Sequence, residues 1–326
     1  MATCNRFRSP KANTSSLHIE FDAKAANTSN CGSNKTMKAV IDIGSNSVRL
    51  AIFADGQIVF KGKVISQLGK GLAFTGRIDP VQKDKTIAAI QTLIVKAVIF
   101  GVERDNIKAF ATATVRRAEN AQDFIDEVYK LSGIKIDVVS EDEEAELALK
   151  GCLGDKDGAV LDIGGGSAEL IVRTGGAITY RHSLPLGAVV LTDMFGKNRD
   201  KMQEYLSEKV KEYGQVPKMK RLMGVGGTSS CCARVMARAR EYDPELTDGK
   251  TVGLADLEII VDRFFKLKDE EIEKMGVEAQ RTGIIAAGTL LLITILKYLG
   301  LSEYTSSEGD NLEGYYLLKC GDDHEK

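Results

Sequence analysis

The stretch AVLDIGGGSAELIV, residues 159–172, puts three adjacent glycines between two short apolar runs, with an acidic residue on either side. Short apolar runs closed by glycine signal strands, so the stretch reads as strand, tight turn, strand. Residues 39–58, AVIDIGSNSVRLAIFADGQI, overlay 159–178, AVLDIGGGSAELIVRTGGAI, with nine of twenty positions identical at an offset of 120. A period that long is foreign to a solenoid and fits two similar domains. Each copy carries an Asp at its first strand's end (Asp42, Asp162) and a Ser three residues past the glycine (Ser47, Ser167). A second turn, ADG or TGG, then leads into a third strand.

The flanks of the repeat fix the fold class. After the first copy come the helix-like KDKTIAAIQTLIVKAVIFG, the strand-like IKAFATAT, the helix-like AENAQDFIDEVYKLSG and the strand-like IKIDVV. Strands alternating with amphipathic helices make an α/β protein. Two such domains are expected to face each other across a cleft, a common place for a ligand.

Bulk composition removes several function classes. A formal net charge of −2 in 326 residues advertises neither nucleic acid nor a membrane surface. The most apolar segment, GIIAAGTLLLITIL at 283–296, is shorter than the roughly 20 residues that span a bilayer, so a buried helix is expected. The small residues Ala286, Ala287 and Gly288 give that helix a face for close packing. Six cysteines without a CxxC pair, and only three histidines, argue against zinc and for reduced structural thiols in a cytoplasmic protein. Residues 1–36, polar and without periodicity, read as a disordered tail, and MKAVIDIG at Met37 reads as a natural beginning.

The two loops have a chemistry of their own. Glycines let backbone N–H groups approach an anion, and successive N–H groups form a nest for phosphate. Gly44, Ser45, Asn46 and Ser47 offer one such nest; Gly164, Gly165, Gly166 and Ser167 offer the other. Asp42 and Asp162 stand where a carboxylate reaches a divalent metal on the phosphate oxygens, with Glu169 adding a ligand through water. Magnesium suits one or two carboxylates plus phosphate. A third glycine motif, GVGGTSS at 224–230, starts a helix and offers the amides of Gly226, Gly227 and Thr228.

DIGSNSVRL, DIGGGSAEL and GVGGTSS, in this order, resemble the phosphate loops of the actin-like ATPase superfamily. ATATVRRAENAQDF (111–124), VVSEDEEAELALKG (138–151) and SSEGDNLEGYY (306–316) extend the resemblance to the exopolyphosphatase / guanosine pentaphosphate phosphohydrolase (Ppx/GppA) family. The resemblance implies two actin-like (ribonuclease H-like) domains. Residues 37–152, completed by a C-terminal helix 312–326, would form the first, and residues 153–311 the second. It implies Mg2+-dependent release of terminal phosphate from polyphosphate or guanosine pentaphosphate, with a homodimer as the possible assembly. Glu144 falls on the family's catalytic glutamate, and Arg116 on its anion-binding arginine, with Arg117 as the structural alternative. Glu143 has a separate occupation, since Ser140 and Glu143 form a capping-box pattern.

Two family arginines are replaced, one by Glu146 and one by Leu312. Both changes remove positive charge from the region where a phosphate chain is expected. They favour short chains and keep two other readings open: a non-catalytic sensor of (p)ppGpp, and an actin-like sugar kinase or ATPase using the same loops.

Overall fold

The computed structural model describes residues 19–22, 37–240 and 243–321. Contact density divides the chain into two units, Met1–Val138 and Val139–Lys326. The first unit comprises β1 (Ile19–Asp22), β2 (Met37–Ile43), β3 (Ser47–Ala54), β4 (Gln57–Ile65), α1 (Leu72–Thr75), α2 (Pro80–Ile99), β5 (Ile107–Ala111), α3 (Ala113–Arg117), α4 (Ala121–Ser132) and β6 (Ile136–Val138). The second opens with α5 (Glu141–Leu153), β7 (Gly158–Ile163), β8 (Ala168–Thr174), β9 (Ala177–Leu184), α6 (Ala188–Phe195) and α7 (Arg199–Lys209). It continues with β10 (Leu222–Val225), α8 (Gly226–Ala237), α9 (Pro244–Thr247), β11 (Thr251–Gly253), α10 (Leu254–Lys266) and α11 (Asp269–Glu273). It closes with α12 (Ile285–Leu299), β12 (Glu303–Ser306), α13 (Asn311–Tyr315) and a π-helical turn, Tyr316–Cys320.

The repeat seen in the sequence is a repeat of topology. The first sheet runs β1-β4-β3-β2-β5-β6 and the second β11-β12-β10-β7-β8-β9. Read outward from the glycine hairpins, β4-β3-β2-β5-β6 matches β9-β8-β7-β10-β12, antiparallel through the hairpins and parallel beyond them. The irregularity of register recurs at the same offset, between Ile52 and Phe53 and between Val172 and Arg173. So does the second turn, where Asp55 and Gly56 (φ 50° and 79°) match Gly175 and Gly176 (φ 62° and 79°). Two successive positive φ values make the hairpin turn whose twist suits paired strands. The expectation of an α/β chain with two sheets of one design is met.

Each sheet has its own core. In the first unit, α2 and α4 cover the face made by Ala39, Ile41, Ile43, Val48, Leu50 and Ile52. In the second, α12 is buried along Ile285–Leu296 among α6, α7, α8 and α10. Among the described residues no helix is long and apolar enough to cross a membrane. Gly288 has the close-packing role expected of it: a Cβ there would meet Thr228 Oγ1 at 2.7 Å and Ala188 Cβ at 3.2 Å.

Two segments depart from the sequence reading. Of the expected tail, Ile19–Asp22 forms an antiparallel strand on β4, while residues 1–18 and 23–36 lie outside the described residues. Four residues are too few for strand periodicity to register. The helix at 141–153 and the C-terminal helix, both placed in the first domain from sequence, pack on one another and fall by contact density in the second unit. Residues 322–326 of that C-terminal helix lie outside the described residues.

Helix α5 starts as its sequence requires. Glu143 N–H donates to Ser140 Oγ at 3.2 Å, and Ser140 N–H donates to Glu143 Oε2 at 2.9 Å. These bonds hold the Glu143 carboxyl below its ordinary range. The box is intact above that range and weakens as acidification protonates Glu143. Removing one cap hydrogen bond costs about 1 kcal/mol. Ser140→Ala is therefore expected to destabilise the chain by about that amount in urea unfolding, with no change in the denaturant slope.

Candidate active site

In both hairpins the glycine loop is closed by the same bond: Gly44 N–H donates to Ser47 O and Gly164 N–H to Ser167 O, each at 3.0 Å. The loop tips are exposed at Ser45 and Asn46 and at Gly165 and Gly166. Carbonyls of both loops are bonded to neighbouring amides. Asn46 O accepts from the amides of Ser66 and Gln67, and Ser45 O from that of Gly69. Gly164 O accepts from Ala188 N–H at 2.9 Å, and Gly165 O from Val189 N–H at 3.0 Å. The start of α6 is thus spent on the second loop's carbonyls, while Gly165 and Gly166 themselves stay exposed. That approach needs Gly187, because a Cβ there would overlap the Gly165 carbonyl and the Gly166 nitrogen.

The acidic positions of the two copies differ. Asp42 is directly opposite Arg49 and forms an ion pair with it, Arg49 Nε donating to Asp42 Oδ2 at 2.9 Å. Asp42 is buried, 2% exposed, and the guanidinium compensates its charge. At the equivalent place in the second copy, Asp162 is directly opposite Glu169. Like charges so placed repel, and a cation between them relieves the repulsion. Glu169 Oε1 accepts from Ser183 Oγ at 2.9 Å on the next strand. Among the described residues no group of three or more His, Cys, Asp or Glu forms a metal cage. Two carboxylates with waters are the ligand set that Mg2+ takes beside phosphate.

Helix α5 brings Glu144 to the same end of the second sheet. Ala145, Leu149 and Leu153 pack on Val160, Ile171, Met223 and Val225. Strand alternation puts Asp162 on the face of Val160 and Glu169 on the face of Ile171, so α5 covers the face that carries both carboxylates. The far end of α5 is anchored where β7 begins: a Cβ on Gly158 would meet Leu153 Cδ2 at 3.2 Å. Thirteen helical residues span about 20 Å and six strand residues about the same. The first turn of α5, with half-buried Glu144, therefore lies at the end of β7 that bears Asp162. In the same turn Glu143 belongs to the capping box and Asp142 pairs with Arg181 at 2.8 Å.

The third glycine loop adjoins the same strand end. Val225 pairs with Asp162, and Gly226, at φ 76°, leaves no room for a Cβ beside Asp162 Oδ1. Thr228 is buried and its hydroxyl donates to Ile163 O at 3.3 Å, so its side chain belongs to the scaffold. Its place at the start of α8 keeps only its backbone amide available to an anion. Arg281, which no sequence pattern singled out, lays its guanidinium where a Cβ of Gly227 would be. Glu278 orients it, accepting from Arg281 Nε at 2.8 Å and from Arg234 Nη2 at 3.1 Å.

In the first unit, Arg116 lies on α3, which is fastened to the first loop by the Thr114 Oγ1 to Ser45 Oγ bond at 2.7 Å. Arg116 is half-buried and Arg117 exposed. Gly69 is wedged between the two elements, 2.9 Å from Thr114 Oγ1 as measured from a hypothetical Cβ. Of the two replaced arginine positions, Glu146 is exposed and Leu312 is core, 2% exposed. Among the described residues the four cysteines form no disulfide, and burial raises the Cys232 thiol to about 12, which suits packing rather than nucleophilic work.

A family model described as the Ppx/GppA phosphatase family matches residues 51–319. A bifunctional 3-dehydroquinate synthase/phosphatase of Fusobacterium nucleatum is 29% identical over 311 residues, covering 87% of this chain and 46% of that protein. The chain thus spans about half the length of this relative. A crystal structure of the Aquifex aeolicus Ppx/GppA phosphatase, type II variant, is 28% identical with a TM-score of 0.75, covering 86% of this chain and 98% of that one. Another Aquifex aeolicus family structure is 26% identical with a TM-score of 0.76, covering 90% of this chain and all of the other. An exopolyphosphatase from Cytophaga hutchinsonii, 23% identical with a TM-score of 0.71 over 88% of this chain and 99% of that one, shares the fold.

Proposed function

Because the chain belongs to the Ppx/GppA phosphatase family, we propose that it is a Mg2+-dependent phosphohydrolase releasing terminal phosphate from short inorganic polyphosphate or guanosine pentaphosphate. The observation that carries the reading is the directly opposed pair of Asp162 and Glu169, set at the end of a hairpin whose glycines Gly165 and Gly166 are exposed. Bound at that pair, Mg2+ would offset the charge of the phosphate oxygens and orient the terminal group. The amides of Gly165 and Gly166, and those starting α8 at Gly226, Gly227 and Thr228, donate to phosphate oxygens. Glu144, on the same face and at the same strand end, takes the proton of the attacking water. The helix N-terminus around it favours the ionised carboxylate that a base requires. The first unit, by itself, carries a second anion-binding set in Arg116 and the amides of Ser45, Asn46 and Ser47.

The preference for short chains follows from charge. Glu146 adds an acid to an already acidic helix start, and Leu312 is turned into the core, so neither residue offers a cation to a long polyanion. The same observation favours a second reading, a sensor that binds guanosine phosphates without turning them over.

The test is phosphate release from tripolyphosphate, long-chain polyphosphate and guanosine pentaphosphate, each with Mg2+ and with a chelator. Mg2+-dependent release from the short substrates supports the hydrolase. Binding of guanosine phosphates with no release from any substrate selects the sensor. Asp162→Asn is expected to raise the Mg2+ concentration needed for half-maximal rate at least tenfold, at the scale seen when support around a metal is removed. An unchanged Mg2+ requirement would move the metal elsewhere.

A further inference from the structure

The helix that carries Glu144 is tied to the edge of the second sheet by one arginine. Strand alternation puts Arg181 and Ser183 of β9 on one face, about 7 Å apart. Arg181 is directly opposite Ile171 and Ser183 directly opposite Glu169, so theirs is the face that α5 covers. Ser183 Oγ donates to Glu169 Oε1 at 2.9 Å. Arg181 reaches the helix instead, with Nη1 2.8 Å from Asp142 Oδ1 and Nη2 3.9 Å from Glu141 Oε2. Asp142 and Glu141 belong to the first turn of α5, as Glu144 does. One edge strand thus holds an acid of the Asp162–Glu169 pair and, two residues earlier, the turn that bears Glu144.

That turn needs an outside hold. Helix ends fray, and this one carries four consecutive acids, Glu141 to Glu144. Glu141 and Glu144 are three positions apart, and like charges so placed on a helix repel. Arg181 offsets part of that crowding from the neighbouring strand. The Asp142 side chain is 88% exposed, so the pair adds little to global stability. What it fixes is direction. We propose that Arg181 is a positioning residue: by tying the first turn of α5 to β9, it sets Glu144 against the Asp162–Glu169 pair. The proposal rests on the reading of Glu144 as the base.

The experiment measures phosphate release from tripolyphosphate with Mg2+, and amide hydrogen exchange at residues 141–147. The full-length protein is compared with R181Q, R181D, D142R and R181D/D142R. R181Q is expected to lower kcat about tenfold with KM within about twofold, since a misplaced reacting group loses rate rather than binding. Its exchange in the first turn is expected to speed about fivefold, the scale of one exposed ion pair, with the urea midpoint unchanged. R181D and D142R are each expected to lose at least as much rate. Their combination restores an opposite-charge pair and is expected to return kcat to within about threefold of the parent. K209Q, which removes an exposed pair with Glu212, is the control, with the parent's kcat and exchange expected.

The proposal fails if R181Q keeps the parent's kcat, if it raises KM alone as a lost phosphate ligand would, if the swapped pair does not recover, or if exchange at 141–147 is unchanged. Exchange is read without turnover, which separates the two readings. Faster exchange in R181Q that the swapped pair reverses, with no phosphate release from any chain, sinks the hydrolase and keeps the tie. Equal release and equal exchange in every chain do the reverse.

Discussion

Glu144→Gln is expected to lower the maximal rate of phosphate release about 100-fold or more while leaving substrate affinity within a few-fold of its starting value. The size is that of a lost general base. The split between rate and affinity follows from the substitution, since glutamine keeps the shape and polarity of glutamate but takes no proton at neutral pH. The position supports the choice among neighbouring acids. Glu144 is half-buried at the strand end that bears Asp162, and Glu143 is committed to Ser140 in the capping box. Glu143→Gln is the companion measurement, expected to change the rate little and the stability slightly. Equal rates for both variants and the parent would make the acidic turn a solvated face.

The second large effect concerns stability. Gly314→Ala is expected to destabilise the folded protein by about 3 kcal/mol or more, at the upper end of overpacking costs. Helices α5 and α13 cross on glycine: a Cβ on Gly314 would overlap Leu147 O, one on Gly151 would overlap Asp310 O, and one on Gly309 would overlap Gly151 O. Those obstacles are backbone atoms, which move only if a helix moves. In a unit of this size the midpoint of thermal unfolding would fall by roughly 10 °C. Gly283→Ala is the control. No atom lies within 4 Å of its hypothetical Cβ and its φ is not positive, so a change within about 0.5 kcal/mol is expected. Similar melting of the two variants would mean that the crossing tolerates a methyl group by sliding.

Much of the fold was legible because repetition and periodicity are local. The overlay of 39–58 on 159–178 anticipated two sheets of one design, and the boundaries of α2, α4, α5 and α12 follow their apolar spacing. The Ser140–Glu143 box needed only four residues to be read. Partners separated along the chain were less accessible. The overlay already set Arg49 against Glu169, yet only the strand register reveals that each stands opposite its copy's aspartate. No neighbouring residue announces that Arg281 rests on Gly227, 54 positions earlier. Thr228 was read for its amide, and the burial of its hydroxyl against Ile163 depends on a strand 65 residues away. The glycines of the α5–α13 crossing look in sequence like ordinary loop and helix residues.

That crossing also has a consequence for the order in which the chain is made. Helix α5 leaves the ribosome early, with Leu147 and Gly151 shaped to receive a partner, but Gly314 is synthesised 163 residues after Gly151. Until then the helix carrying Glu144 lacks the neighbour that fixes its outer side. Pairing over so long a separation closes late and slowly. The end of the second unit that bears Glu144 is therefore completed only once α13 has been made, and a nascent chain stalled before residue 309 would expose that unfilled helix face to chaperones and proteases.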